Sequence, residues 1–507
     1  MLVEKGRQPQ EPPMEMEDRP VARSHTGLRG VSARDGIYLG LRYGIGILVG
    51  FANMFALTWW IGPHAYGLFI TAIGLSSFLA NLTRAGADTY LVRRDGVPEI
   101  RLYHVASTLI MGCSLLLTAA GMAAIPLLAA WYRSREFLMP YVVTLITVPL
   151  AGLAGPPIAK LERELNFRSA AGIELSGQVL ALLVSVTLAW RRCGVWAPVA
   201  GVIVWQSWVA IAACRAARLI PRPAFDRREA HAMLSFGLGY TLSQRVWQLR
   251  SLVNPLLVGR LVGAEGVAFV ALAVRIGESL GFVRVAAGRL AIAGLSRLRE
   301  QPARLRAALQ NALELQVVML GPLLCLFAVT GPYLVPRLFG QRWTPSLQVY
   351  PWVAAGVLIN SVFNLQSSAL FVLGQQWAVL RTYCVHVGLF GAGTLLLVTH
   401  FGIPGYGWAD LLACVAYFLL HQRLAKHVHL RYSRLAGWCL VFGISLFAMM
   451  FARPWAWILW APLIALMLRE LRSRRRGRRF NAATPQPEFT SSWTLPPQAR
   501  SSNLPAS

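Results

Sequence analysis

Acidic residues are scarce in this chain, whose 507 residues contain 22 Asp and Glu against 49 Lys and Arg. The chain also lacks a GxxxxGK[ST] phosphate loop, an HExxH or GxSxG motif and any Cys/His spacing typical of a metal site. These absences argue against an ATPase, a zinc protease and a serine hydrolase. The seven cysteines form no CxxC pair, and nearly all lie in apolar stretches, where cysteine serves as a small core residue. We therefore expect no cofactor and no metal.

What the chain has in abundance is apolar sequence: 55% of its residues are hydrophobic, and the mean hydropathy is +0.49. Apolar runs of about 20 residues recur, each long enough to cross the hydrocarbon core of a bilayer. Because backbone groups in lipid must be paired internally, we predict an all-α, polytopic membrane protein with about 14 transmembrane helices. The predicted spans are 36–60, 66–83, 104–130, 139–159, 171–190, 195–214, 234–259, 266–290, 313–336, 348–373, 382–400, 405–422, 435–452 and 454–468.

The basic residues orient these spans. With the amino terminus in the cytoplasm, the inner loops and both tails carry most of the Lys and Arg, and the outer loops carry few, which is the asymmetry that fixes membrane topology. We predict that both termini are cytoplasmic and that the first apolar run is the first anchor, since no signal-peptide core precedes it. The chain shows no aromatic and basic signature of an RNA-binding protein, so nucleic acid is not an expected partner.

An internal repeat indicates two similar halves. WWIGPHAYGLFITAIGLS (59–76) resembles GRLVGAEGVAFVALAVRIGES (259–279), and Gly62 aligns with Gly263. An even number of predicted spans separates the copies, so we predict two parallel six-helix lobes around a central cavity, an arrangement typical of transporters. The predicted domains are a disordered cytoplasmic tail 1–35, an N-lobe 36–218, a C-lobe 219–430, two further helices 431–470, and a basic, disordered tail 471–507.

Several arginines fall inside the predicted spans, where an Arg at the helix centre costs about 2.5–3.5 kcal/mol. They are Arg42, Arg245, Arg250, Arg275, Arg284 and, near an inner end where it can snorkel, Arg289. Acids are fewer: Glu278 lies three residues after Arg275, and Asp410 is near a span edge. Two interpretations stay open, an anion-attracting cavity and structural pairing with snorkelling. We favour the cavity, because the planar guanidinium suits phosphate.

Helical geometry sorts the polar residues of the predicted seventh span into two stripes. At 100° per residue, Thr241, Gln244, Arg245 and Gln248 share one side, and Ser243, Arg250 and Asn254 share the opposite side. Such a helix needs water or polar partners on both sides. In the same way Asn53 shares a face with Arg42, and Asn360 shares a face with Asn364.

Several stretches together resemble the polysaccharide-transporter branch of the multidrug/oligosaccharidyl-lipid/polysaccharide (MOP) exporter superfamily. The stretches are AYGLF (65–69), RAGADTYLVRRD (84–95), KLERELNFRS (160–169), GVWAPVAG (194–201), VALAVRIGESL (270–280), LSRLRE (295–300) and LFGQRWTPS (338–346). The resemblance implies a bacterial inner-membrane flippase for undecaprenyl-pyrophosphate-linked oligosaccharides, which serves the synthesis of a cell-surface polysaccharide. The chain departs from many relatives by having Gly281 and Phe282 in the eighth span, where those relatives place proline.

The resemblance also implies roles for individual residues. Arg42, Arg245 and Arg275 match the cationic cavity of the family, and with Arg250 and Arg284 they are the predicted ligands of the pyrophosphate. The candidate sugar contacts are Asn53, Gln244, Gln248, Asn360 and Asn364, and Glu278 is a candidate for ion pairing or coupling. The expected partners are the lipid-linked oligosaccharide, membrane lipids, and the polymerase and glycosyltransferases of the same pathway.

Three alternatives remain open. A cation-coupled multidrug or metabolite exporter of the same superfamily is disfavoured by the arginines, because exporters of cationic drugs favour acidic cavities. A membrane glycosyltransferase or polymerase is disfavoured because the sequence has no long outer loop and no acidic pair at a membrane edge. A scaffold of a polysaccharide machine would not need the intramembrane arginines. We therefore expect a transporter and no enzyme.

Overall fold

The computed structural model describes residues 25–83, 86–87, 90–91, 99–132, 134–236, 238–282, 284, 295 and 301–451. Over these residues the chain is α-helical and contains no strand. Every predicted span up to residue 452 falls mainly on helix where the chain is described, with short turns inside some of them. The span predicted at 454–468 and the tail predicted at 471–507 lie outside the described residues.

The helices are numbered in chain order. The first eight are α1 (His25–Thr83), α2 (Ile100–Ala123), α3 (Ile125–Trp131), α4 (Leu138–Thr144), α5 (Thr147–Arg163), α6 (Phe167–Trp190), α7 (Trp196–Ala216) and α8 (Arg227–Phe236). The next eight are α9 (Leu238–Val253), α10 (Ala264–Leu280), α11 (Pro302–Leu338), α12 (Ser346–Val372), α13 (Gln376–Phe401), α14 (Pro404–Ala413), α15 (Tyr417–Ala425) and α16 (Ser433–Phe451). Some of them are joined by a wider helical turn at Asn254–Val258, a short α-helical turn at Gly259–Leu261 and tighter turns at Gln341–Trp343 and Cys414–Ala416.

Eight helices within the described residues are long and apolar enough to cross a membrane. Fewer helices meet that test than the sequence predicts, for local reasons. The helix α9 carries two polar stripes, α10 has only 17 residues, and the tight turn at Cys414–Ala416 divides the predicted span 405–422 into α14 and α15. The chain is a multi-pass membrane protein.

The first helix begins earlier than predicted and is broken in its middle. It starts at His25, inside the segment 1–35 that we assigned to a disordered tail, and so begins after Pro20, the last proline of that segment. The break falls at Gly62, whose φ of 74° and ψ of 173° lie outside the helical region. The two predicted spans, 36–60 and 66–83, therefore lie on two helical segments that meet at Gly62.

The two glycines that the repeat aligned adopt the same backbone conformation. Gly263, before α10, has φ 93° and ψ −173°, close to the values at Gly62. This region of backbone space is open essentially to glycine alone. The repeat is therefore supported by a shared turn geometry as well as by sequence.

The chain divides into two compact units, residues 1–129 with 135–237, and residues 130–134 with 238–507. In the first unit, α6 packs on α1 and α7, and α5 packs on α2 and α7. The helix α8 also belongs to this unit, although we predicted the C-lobe to begin at residue 219. The reason is its amphipathic sequence: Met233 is fully buried in a core cluster with Leu102 and Tyr103 of α2.

In the second unit, α9 packs on α13, and α12 packs on α10, α11 and α14. The last described helix, α16, joins this unit by packing on α11 and α12. Its Phe442 is fully buried, and the Phe442 carbonyl oxygen lies 3.5 Å from Cys325 Sγ of α11. The helix predicted at 435–452 is thus an integral part of the second unit.

Candidate functional site

One polar stripe of α9 is bonded to other helices of the second unit. Ser243 Oγ lies 3.5 Å from the Gln376 carbonyl oxygen at the start of α13. Asn254 Nδ2, beyond the end of α9, donates to the Val267 carbonyl oxygen of α10 at 3.2 Å. Both side chains are buried. The stripe of Ser243, Arg250 and Asn254 therefore faces the interior of its own unit.

Between these two residues, Arg250 forms an ion pair with Asp410 of α14. Its Nη2 donates to Asp410 Oδ1 at 2.7 Å and to Oδ2 at 2.8 Å. Asp410 is only 2% exposed. The guanidinium carbon also lies 5.5 Å from the ring centroid of Trp247 and 5.3 Å from that of Phe390, so two aromatic faces hold the cation.

This pair corrects the charge balance expected from the sequence. We placed Asp410 near a span edge and expected the arginines to exceed their partners. The fold instead buries Asp410 within α14 and directs it at Arg250, because a charge enclosed by apolar helices needs an opposite charge or hydrogen bonds. Arg250 is therefore neutralised in this structure, and its role as a pyrophosphate ligand stays a prediction.

Arg284 differs from Arg250 in its partner. Its Nη1 donates to Asn360 Oδ1 of α12 at 2.6 Å, and Asn360 Nδ2 donates to the Tyr417 hydroxyl oxygen. The Tyr417 ring is fixed by stacking on Phe363, with ring centroids 4.4 Å apart. The hydroxyl acceptor thus orients the Asn360 amide so that its oxygen, and not its NH₂ group, meets the guanidinium.

His386 of α13 completes this cluster. Its ring stacks on Tyr417 at 5.1 Å and lies 5.1 Å from Trp247. Its Nδ1 is 3.0 Å from the Ala413 carbonyl oxygen, so Nδ1 carries the hydrogen of that bond. The side chain is 1% exposed, and Nε2 has no hydrogen-bond partner in the described part of the chain. The imidazole therefore packs against the aromatic rings of the cluster.

The opposite stripe of α9 is partly accessible. Gln244, Arg245 and Gln248 are all half-buried. Arg245 Nη1 donates to Gln248 Oε1 of the same helix at 3.2 Å. The two predicted stripes thus exist on one helix, and the structure gives them different surroundings.

The remaining candidates are spread over the chain. Asn53 is half-buried in α1 of the first unit, and its Oδ1 is buried with no hydrogen-bond partner among the described residues. Asn364 is half-buried one turn after Asn360. Arg275 and Glu278 are both exposed on α10, and within the described residues they form no ion pair with each other. The side chain of Arg42 lies outside the described part of the structure.

Three residues of the cluster were missed by the sequence analysis as site residues: Asp410, Tyr417 and His386. Asp410 could have been identified, since a lone acid in the apolar run WADLLAC (408–414) requires a counter-charge. Tyr417 and His386 give no such signal, because their roles depend on which helices pack together.

Comparisons with known proteins relate the chain to proteins of polysaccharide biosynthesis. Residues 57–348 match the family model described as polysaccharide biosynthesis protein. The teichuronic acid biosynthesis protein TuaB of Bacillus subtilis (strain 168) is 21% identical over 347 residues, which cover 68% of this chain and 71% of that protein.

Two solved structures show the fold. The lipid II flippase MurJ in an inward closed conformation superposes with a TM-score of 0.69 at 11% identity, over 85% of this chain and 97% of that one. An inward-facing multidrug resistance MATE family transporter of the MOP superfamily gives a TM-score of 0.56 at 17% identity, over 75% and 95%. The helices described above therefore have the fold of this superfamily.

Proposed function

Because the chain belongs to the family of polysaccharide biosynthesis proteins, we propose that it is an inner-membrane flippase for oligosaccharide repeat units. The cargo is an oligosaccharide linked through pyrophosphate to undecaprenol, destined for a cell-surface polysaccharide. The chain acts as a transporter and not as an enzyme. The fold shared with a lipid II flippase and a multidrug transporter supports translocation as its activity.

One observation carries the proposal: Arg284 is held by a neutral partner. In the buried cluster of the second unit, the one carboxylate among the described side chains, that of Asp410, is taken by Arg250, whereas Arg284 donates to the amide of Asn360. Glu278 is close enough to act on Arg284 electrostatically, but it is exposed and forms no ion pair with Arg284 in the described structure. Arg284 is therefore positioned without being neutralised, as a phosphate ligand requires.

The chemistry of each candidate follows its surroundings. Arg284 in the buried cluster and Arg245 on the opposite, accessible stripe of α9 are two candidate ligands of the pyrophosphate. Gln244, Gln248 and Asn364 offer amide groups that suit sugar hydroxyls. The undecaprenyl chain would remain in lipid while the head group is exposed alternately to the two membrane faces.

Turnover then depends on differential binding. A ligand shifts a conformational equilibrium only as far as it binds the two states unequally. The pyrophosphate must therefore meet different guanidinium groups in the inward-open and outward-open states. We assign both termini to the cytoplasm on the basis of the loop charges.

Lipid analysis of cells tests the proposal. Cells that lack this gene should accumulate a complete undecaprenyl-linked repeat unit, detected by mass spectrometry of extracted lipids. The wild-type gene should clear it, and Arg284→Gln should fail to clear it, because the variant keeps polar bulk but loses the charge.

Arg304→Gln is the matched control, since Arg304 is an exposed arginine at the start of α11. This variant should clear the lipid as the wild type does. If the deletion strain accumulates no lipid-linked sugar and retains its surface polymer, the flippase proposal is wrong and export of drugs or metabolites becomes the activity to test.

A further inference from the structure

Arg250 uses only part of its guanidinium in the ion pair with Asp410. Both bonds run from Nη2. Nε is buried with no hydrogen-bond partner, and Nη1 makes no hydrogen bond in the described part of the chain. The Arg250 side chain is 23% exposed, against 3% for that of Asp410. Nη1 is thus a donor without a hydrogen bond among the described residues, and part of the side chain is accessible.

The position of Arg250 does not depend on Asp410 alone. The rings of Trp247 and Phe390 lie 5.5 and 5.3 Å from the guanidinium carbon. Aromatic faces attract a guanidinium and leave its in-plane N–H groups available. A second anion can therefore approach Nη1 while the arginine remains in place.

The second arginine of the cluster is tied to the same helix that backs Asp410. A Cβ atom on Gly356 of α12 would lie 2.6 Å from Asp410 Oδ2, so only glycine lets α12 approach the carboxylate this closely. One turn later on α12, Asn360 holds Arg284. Successive turns of a helix are about 5.4 Å apart. The Asp410 carboxylate, paired with Arg250, and the Asn360 amide, bonded to Arg284, therefore belong to neighbouring turns of the same helix surface.

We propose that Asp410 is the release residue of the pyrophosphate site: the phosphate accepts a hydrogen bond from Arg250 Nη1 and binds Arg284, and the Asp410 carboxylate limits the affinity. The inference rests on the proposed function. A carboxylate that shares an arginine with a phosphate repels it, strongly so in a medium of low dielectric constant. A translocating site must bind its cargo well enough to load it and weakly enough to release it.

Asp410 is therefore a positioning and affinity-setting residue that does not itself contact the sugar or lipid. Without it, Arg250 and Arg284 would present two uncompensated guanidinium groups to one pyrophosphate. The cargo would bind more tightly, and its release would become the slow step. A purely structural ion pair predicts the opposite, because loss of the pair would only loosen the site.

The experiment measures binding of inorganic pyrophosphate to the purified full-length protein by calorimetry. Asp410→Asn should bind pyrophosphate about tenfold more tightly than the wild type, equivalent to one decade in Kd. The same variant should clear lipid-linked oligosaccharide from cells more slowly. Arg250→Lys keeps the charge that Asp410 needs but removes the Nη1 donor, so it should bind pyrophosphate about tenfold more weakly.

The outcomes separate the two proposals. If the wild type binds no pyrophosphate, the proposed function is contradicted and this inference falls with it. If the wild type binds pyrophosphate but Asp410→Asn binds it equally or more weakly, the release role alone is overturned. If Asp410→Asn does not fold, the test rests on Arg250→Lys. An affinity of that variant for pyrophosphate equal to the wild-type affinity overturns the inference. Arg304→Gln should match the wild type in both assays.

Discussion

The two polar faces of α9 meet different surroundings. On one face, Ser243, Arg250 and Asn254 are buried or nearly so and bond to α13, α14 and α10. On the opposite face, Gln244, Arg245 and Gln248 are half-buried, and Arg245 donates to Gln248 of its own helix. The two faces are similarly polar in the sequence, but one face bonds α9 to the other helices of the second unit, and the other face is an accessible polar surface.

The comparison teaches that an arginine within an apolar span cannot be assigned by depth alone. Arg245 and Arg250 are five residues apart on one helix. Their observed contacts differ: Arg250 pairs with Asp410 of α14, whereas Arg245 donates to Gln248 of its own helix. The predictions below are ordered by expected size and test whether the two faces are as different as the structure indicates.

Arg250→Met should have the largest effect, on stability. Removing one partner of a buried ion pair leaves the other charge uncompensated, at a cost of about 3–5 kcal/mol. We expect a large fall in the thermal unfolding midpoint of the purified protein. Adding Asp410→Leu to this variant should recover most of the loss, since an apolar pair tolerates burial. If the single variant is as stable as the wild type, the inward face does not hold the unit together.

Arg245→Gln should affect transport more than folding. A charged hydrogen bond to phosphate contributes about 1.5–3 kcal/mol, so we expect clearance of lipid-linked oligosaccharide to fall by about tenfold or more. The loss of thermal stability should be smaller than that of Arg250→Met. If Arg245→Gln unfolds as readily as Arg250→Met, then both faces of α9 stabilise the second unit, contrary to this prediction.

Asn254→Ala should give an intermediate loss. The change removes one buried hydrogen bond to Val267, worth about 1 kcal/mol. We expect a modest fall in the unfolding midpoint with lipid clearance retained. Reduced clearance at wild-type stability would place Asn254 in the transport site instead.

Ser243→Ala should have the smallest effect. The distance of 3.5 Å from Ser243 Oγ to the Gln376 carbonyl oxygen is long for a hydroxyl hydrogen bond. We expect a change in unfolding free energy within about 0.5 kcal/mol, the scale of an uncritical substitution. A loss as large as that of Asn254→Ala would show that this contact is tighter in solution than in the structure.

Much of the fold could be predicted from the sequence, and the reasons are specific. Apolar runs of helix length predict spans because lipid forces backbone groups to bond within each helix. The glycine shared by the two copies of the repeat marked a real turn in both places. The boundary between the units was less predictable: α8 follows a long basic loop, and only its packing on α2 shows that it belongs to the first unit.

The candidate site was only partly predictable. Helical periodicity placed Arg245 and Arg250 on opposite faces of one helix, as the structure has them. It did not identify Asp410 as the partner of Arg250, because 160 residues separate them in the chain. Nor did it assign Asn360 to Arg284, since a contact between helices depends on their packing and not on their periods. Sequence reasoning finds which residues need partners, whereas the fold decides which partners they receive.

The turn at Gly62 and Gly263 bears on the history of the chain. Along most of a membrane helix many apolar residues are interchangeable, so two copies of an ancestral half would drift apart with little constraint. At a backbone conformation that only glycine tolerates, every other residue is strained. A duplication would therefore leave its longest-lasting trace at such positions, and Gly62 and Gly263 are where the two copies of the repeat share both the residue and its backbone angles.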